Sequence, residues 1–330
     1  MPTPGGPYSG IWNIRDTSKF IQDNAWPFFF GASRVVMGGG RNSGVQNIID
    51  FVDLSSAGNA TDFGDLTAAR QGPSSTGSRT RALFAGGATP TRVNTIDFVQ
   101  FTLGNAIDFG DISNTVRDFG ACTNGTRGIF AGGSYTSSPV NKFENVIQFC
   151  VIASTGNTND FGDLTTSRGP NNGNMCSTTR GVFGFGGTNP SNGDANVIDF
   201  ITMASAGNAT DFGDATSNKQ QGSCLSSSTR GVMGGGGSSP SRKSNVMEFI
   251  TVASTGNATD FGDLTQDIGL LCGSADDTKG IFFGGLSPSA YSNVIDQITI
   301  ASTGNATDFG DLTLGRDAAS GTCSNMGAFG

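Results

Sequence analysis

The tripeptide Phe-Gly-Asp, always preceded by Asp, occurs six times, led by Phe63, Phe109, Phe161, Phe212, Phe261 and Phe309 at steps of 46, 52, 51, 49 and 48 residues. A period of this length marks stacked supersecondary units. None buries its apolar face alone, so the architecture must be a propeller or a solenoid. Residues 176–216, "CSTTRGVFGFGGTNPSNGDANVIDFITMASAGNATDFGDAT", show what one unit contains. A short stretch around Cys176 leads to Arg180, and "GVFGFGG" reads as a strand closed by Gly186-Gly187. After a loop, the β-branched and aromatic run "NVIDFITM" reads as a second strand. "ASAGNAT" supplies a Gly-Asn hairpin turn, and "DFGDA" is the closing strand. Three or four short strands per unit, without a helical period, describe a propeller blade.

The frame repeats along the chain. The corresponding glycine doublets are Gly39-Gly40, Gly86-Gly87, Gly132-Gly133, Gly186-Gly187, Gly236-Gly237 and Gly284-Gly285. The strands after them open "NIIDFV", "NTIDFV", "NVIQFC", "NVIDFI", "NVMEFI" and "NVIDQI". Glycine at a strand end needs a reason, and close backbone approach or positive φ supplies one. The abundance of 51 glycines is therefore not low complexity. With 25 Phe and a net charge of only −8, the chain has the composition of a folded all-β protein. Cys122, Cys176, Cys224 and Cys272 precede the strand-opening Arg127, Arg180, Arg230 and Lys279, with Cys323 in a like context. Equivalent positions in successive blades lie too far apart for disulfides, so these thiols, and Cys150, are expected to be buried and free.

The pattern resembles the kelch repeat over roughly residues 28–330: a strand ending in Gly-Gly, a loop, a second strand, a hairpin and a third strand with an aromatic. Phe stands where kelch usually has Trp, and Arg70, Arg168 and Arg316 stand near the kelch basic position. The resemblance implies a β-propeller and says little about activity. Residues 318–330, "AASGTCSNMGAFG", start another unit and stop. This terminal strand can complete the first blade, giving six, or pair with N-terminal residues such as "SGIWNI" in a seventh, hybrid blade. Six is favoured, because a propeller must tie its ends together.

Residues 1–27 fall outside the repeats and are read as an N-terminal docking segment, with residues 28–330 as the propeller. The stretch "SGIWNIRDTSKFIQDNAWP" holds the only two tryptophans, Trp12 and Trp26. It resembles a segment of tailed-bacteriophage virion proteins, in which Ser-Gly-hydrophobic-Trp leads to an aromatic-Pro such as Trp26-Pro27. Units like "ASTGNATDFGDLT" resemble kelch-like propellers of marine and cyanobacterial phages. The resemblance implies a virion component whose partners are other virion proteins, with Trp12 and Trp26 in docking.

Chemistry finds little support in the residues. Asp-Phe-Gly holds magnesium in protein kinases, but a kinase uses it once and needs a His-Arg-Asp loop. The chain has no histidine. That also excludes kelch-like copper oxidase sites, His-based triads and the usual zinc sites. The pairs Asp62/Asp65, Asp108/Asp111, Asp160/Asp163, Asp211/Asp214, Asp260/Asp263 and Asp308/Asp311 lack the short alternate spacing of calcium loops. They read as turn caps and edge charges. The Asn-Ala-Thr triplets at Asn59, Asn208, Asn257 and Asn305 read as hairpin turns, since no secretory signal precedes them. A glycan-processing enzyme would gather acids in one pocket, and only a repeated acidic ring is present. The acidic balance argues against nucleic-acid binding. No apolar run approaches the roughly 18 residues of a membrane span.

The repeats differ most after the glycine doublet: "RNSGVQ", "ATPTRV", "SYTSSPVNKFE", "TNPSNGDA", "SSPSRKS" and "LSPSAYS". These loops are expected on one face, where a rigid scaffold presents its recognition residues. Tyr135, Lys142, Asn189, Asp194, Arg242, Lys243 and Tyr291 are the candidate contacts, suited to protein or sugar surfaces. The expectation is thus a non-enzymatic virion structural protein without metal or cofactor. Recognition of host-surface glycan through these loops is the alternative.

Overall fold

A computed structural model describes residues 33–137, 140–170, 175–188 and 193–326. The described chain is all-β, without a helix, and forms six blades of antiparallel strands. Blade 2 shows the common plan. Ser74–Gly77 is innermost, followed outward by Arg81–Ala85, Thr95–Gln100 and Ile107–Asp111. Blade 1 is closed by the far end of the chain. Ser320–Cys323 is its innermost strand and pairs with Arg34–Gly38, Val35 opposite Cys323 and Gly38 opposite Ser320. The ring therefore has six blades, tied by the C-terminal strand. The expected boundary between residues 27 and 28, with Trp12 and Trp26, lies outside the described residues.

The innermost strands read "SSTG", "GACT", "MC", "SCLS", "CGSA" and "SGTC" and are buried throughout. They neighbour one another around the axis, where small side chains predominate and Met175 and Leu225 are the large exceptions. All six cysteines are buried free thiols. Burial pushes the Cys176 thiol up to about 11 and those of Cys150 and Cys272 to about 12, so they serve as small apolar groups.

The Phe-Gly-Asp motif is a β-bulge. In blade 1, Ile49 faces Gly64 and Asp50 faces Asp62, leaving Phe63 as the extra residue, and the same shift recurs in every blade. In blades 1–5 the extra Phe meets a Phe of the third strand edge-on, as in Phe98–Phe109 and Phe200–Phe212, with centroids 6.0 Å apart, and Gln297 replaces that ring in blade 6. The bulge also joins blades. The N–H of its final Asp donates to a hairpin Asn Oδ1 of the next blade: Asp65 to Asn105, Asp111 to Asn157, Asp163 to Asn208, Asp214 to Asn257, Asp263 to Asn305, and Asp311 to Asn59. Each outer edge is thus covered by its neighbour's hairpin, which solves the exposed-edge problem.

Two further rings repeat this joining. The basic residue opening each second strand lies over an aromatic ring, as Arg230 does 4.3 Å from the Phe249 centroid. It then donates to a carbonyl of the following blade: Arg34 to Phe101, Arg81 to Ile152, Arg127 to Met203, Arg180 to Val252, Arg230 to Ile300 and Lys279 to Leu54. The second ring is buried. Arg70, Arg168, Lys219 and Arg316, after the outer strands, pair with Asp97, Asp199, Glu248 and Asp50 in the next blade's third strand. Lys219 thereby fills the basic position that the kelch comparison left vacant in its unit. The other two blades dispense with the cation. Buried Val116 and Ile268 hold its place in the repeat, five residues after the bulge Asp, and buried Gln148 and Asp296 hold that of the acid. Asp296 instead accepts from Thr265 N–H and Oγ1, and burial raises its pKa.

The glycine doublets bring each second strand against the linkers of its blade, Gly39 against the outgoing one and Gly40 against the incoming one at Asp317. A Cβ at Gly39 would stand 2.7 Å from the Arg70 carbonyl oxygen, and φ is 71°. Two doublets fall one residue earlier than the sequence frame placed them. In blade 5 the pair is Gly235-Gly236, both with φ of 66°. In blade 4 it is Phe185-Gly186, with Phe185 at φ 36°. The bend is fixed five residues after the basic residue, and runs such as "GFGG" and "GGGG" hide which residues make it.

Candidate functional site

All six variable loops join second to third strands at the end of the disc where the innermost strands begin. The segments linking one blade's outer strand to the next blade's innermost strand reach the axis at this end. They converge through a ring of left-handed residues: Gly72 (φ 64°), Asp118 (55°), Gln221 (65°), Leu270 (55°) and Ala318 (49°). Their backbones bond to one another across blades. Leu270 N–H donates to Gln221 O, Ala318 to Leu270, Gly72 to Ala318 and Asp118 to Gly72, at 2.6–3.1 Å. This ring is the floor of a polar cavity of about 270 Å³.

Three arginines stand around the floor, each beside a carboxylate. Arg41 donates from Nε and Nη2 to the two oxygens of buried Asp317, at 3.1 and 2.6 Å. Burial pushes the Asp317 carboxyl up, and the hydrogen-bonded Arg41 opposes that shift. Arg117 Nε stands 3.2 Å from Asp118 Oδ2. Arg242 Nε is 3.8 Å from Asp194 Oδ1, and Asp194 also accepts from Gln220 Nε2 and the Ser239 N–H. Gln71, Gln221, Ser134 and the edge of Phe143 complete the wall.

Of the sequence candidates, Arg242 lines this cavity and Asp194 orients it. Tyr291 is one step behind, its ring 5.9 Å from the Arg41 guanidinium. Lys243 packs its stem against Gly269. Tyr135 and exposed Lys142 are opposite one another on the long blade 3 hairpin, Arg127–Ser137 with Val140–Val151, and are not part of the cavity wall. Asn189 lies outside the described residues. The floor and linker residues Gln71, Arg117, Asp118 and Gln221 were missed, although their departure from the apolar "GLL" of residues 269–271 was a visible signal.

Tyr135 lines a second recess with Asn114, Thr115, Thr136 and Glu144. Burial pushes the Glu144 carboxyl up to about 7, opposed by Asn114 Nδ2, which donates to Oε2 at 2.8 Å. An acid whose folded pKa is raised contributes stability at low pH that is lost as pH rises toward that value. Glu144→Gln, neutral at every pH, is expected to flatten the decline in thermal midpoint between about pH 5 and about pH 8. A wild-type profile with no decline in that interval would refute this environment.

Neither the comparison with protein-family models nor that with curated proteins returns a match to this chain.

Proposed function

We propose that this protein is a non-enzymatic structural component of a tailed-phage virion, a kelch-like propeller displayed outward from tail or capsid. Residues 1–27 act in docking, through Trp12 and Trp26, to other virion proteins. The observation that carries the reading is the division of the repeat. Its recurring residues join blade to blade in three rings, while its variable residues gather on one face. A rigid disc with one variable face suits display, since recognition residues concentrate on loops held by a scaffold.

Quantitative mass spectrometry of purified particles is expected to find the protein at stoichiometric copy number, and deletion of residues 1–27 to abolish its incorporation. Absence from particles would remove the virion assignment. Incorporation of the truncated chain would remove the docking role alone.

A second reading, recognition of host-surface glycan, is favoured by the polar cavity among the variable loops. It predicts binding to host envelope fractions that is lost when the loops are exchanged.

A further inference from the structure

We propose that the axial cavity binds a neutral, hydroxyl-rich ring, a single sugar unit of a glycan. This rests on the recognition reading and places the contact on the cavity floor, away from the loop tips.

Charge and donor balance in the cavity wall select such a ring. Arg41, Arg117 and Arg242 give the cavity three guanidiniums, and Asp317, Asp118 and Asp194 stand 2.6–3.8 Å from them. Each guanidinium is thereby neutralised: Asp118 lines the cavity beside Arg117, while Asp317 and Asp194 stand behind Arg41 and Arg242, outside the wall. A sugar hydroxyl both donates and accepts, so it matches a wall that presents guanidinium N–H groups, the Asp118 carboxylate and side-chain amides. Gln71 and Gln221 add amides with both capacities, and Ser134 adds a hydroxyl. Phe143, 8% exposed, supplies an apolar edge for the C–H face of a ring. A volume of about 270 Å³ falls just below the roughly 300–1,000 Å³ of pockets for larger ligands, which suits one ring.

The floor is also fixed before any ligand arrives. Its left-handed residues are bonded to one another across blades, so little ordering opposes binding.

The test is saturation-transfer NMR on the full chain. The probes are methyl glycosides of glucose, galactose, mannose and N-acetylglucosamine, with glucuronate as a charged counterpart. At least one neutral glycoside is expected to receive saturation. Gln71→Ala combined with Arg117→Ala should weaken that binding at least tenfold. Both residues hold the fold through backbone bonds, to Ala88 and Ser134, which the substitutions leave in place, and an unchanged thermal midpoint verifies this. No transfer to any neutral glycoside, transfer to glucuronate alone, or unchanged affinity in the variant would overturn the proposal.

Envelope binding separates the two levels. If the double variant still binds host envelope and loop exchange abolishes that binding, the sugar site is wrong and the recognition reading stands. If the wild-type chain binds no envelope fraction, the recognition reading fails, and the glycoside spectra decide the cavity's chemistry independently.

Discussion

Replacing Arg168 by valine should destabilise the propeller by about 3–5 kcal/mol, the range for removing one partner of a buried ion pair. Arg168 and Asp199 are both fully buried, with Nη1 2.6 Å from Asp199 Oδ2. The guanidinium also donates from Nε to the Phe185 carbonyl and from Nη2 to that of Phe183. Burial pushes its pKa down while the Asp199 charge opposes this, and at neutral pH it remains a cation. Without it, Asp199 keeps only Thr165, which donates from its N–H and Oγ1, so an uncompensated charge is left in the seam.

The molecule itself shows how to remove the pair safely. At the seam between blades 2 and 3 Val116 stands in the cation's place and Gln148 in the acid's, and Gln148 Oε1 accepts from the Ser113 N–H and Thr158 Oγ1. Both are buried. Arg168→Val with Asp199→Gln should therefore recover most of the loss, since exchanging both partners is often near neutral. Urea unfolding of the two single variants and the double variant gives the coupling. A single variant within about 1 kcal/mol of wild type, which is the level of an ordinary substitution, would contradict the buried-pair account. So would a double variant no better than the single.

The second large effect is expected at the bulge glycine. Gly162 has φ of 150°, and a Cβ there would stand 2.4 Å from the Gly207 carbonyl oxygen of the next blade. Gly162→Ala combines backbone strain of about 1–3 kcal/mol with a clash that the seam relieves only by opening. Gly207 faces it across the same seam, yet a Cβ on Gly207 meets nothing within 4 Å. Gly207→Ala should therefore stay within about 0.5 kcal/mol of wild type. Hydrogen exchange at the Gly207 and Ala209 amides, which donate to Phe161 and Asp163 at 2.7 and 2.8 Å, should quicken in Gly162→Ala only. Equal behaviour of the two variants would show that the close approach does not govern the seam.

These two sites also mark what could and could not be read from the chain. The constancy of Phe-Gly-Asp and of the hairpin Asn was plain in the sequence, but their joint purpose was not. They meet 40–46 residues apart, and 252 apart where Asp311 reaches Asn59. The acid in the third strand was likewise visible in "NIIDFV" and its relatives, as a charge repeated inside an apolar run. Its partner is in the preceding blade, 27 and 31 residues earlier for Asp97 and Asp199 and near the far end of the chain, at Arg316, for Asp50, beyond the reach of strand periodicity. Asp194 and Arg242 stood out as charges in variable loops, and the structure places them at the cavity. Arg117, Asp118 and Gln221 escaped because the linkers that carry them look like ordinary polar connections.

By itself the sequence determined the strand content of the repeat and the number of complete repeats, whereas closure was left between six blades and a seventh, hybrid one until the pairing of Ser320–Cys323 with Arg34–Gly38 decided it. Strand content and repeat number follow from a local pattern with a fixed period: alternating apolar strands, glycine at the bends and a Gly-Asn hairpin. Only the tertiary structure decided which residues share the axis. Closing six blades into a ring brings linkers from every part of the chain to one point, and left-handed backbone bonded across blades holds them there. That convergence creates a balanced polar cavity from residues whose spacing along the chain carries no trace of their meeting.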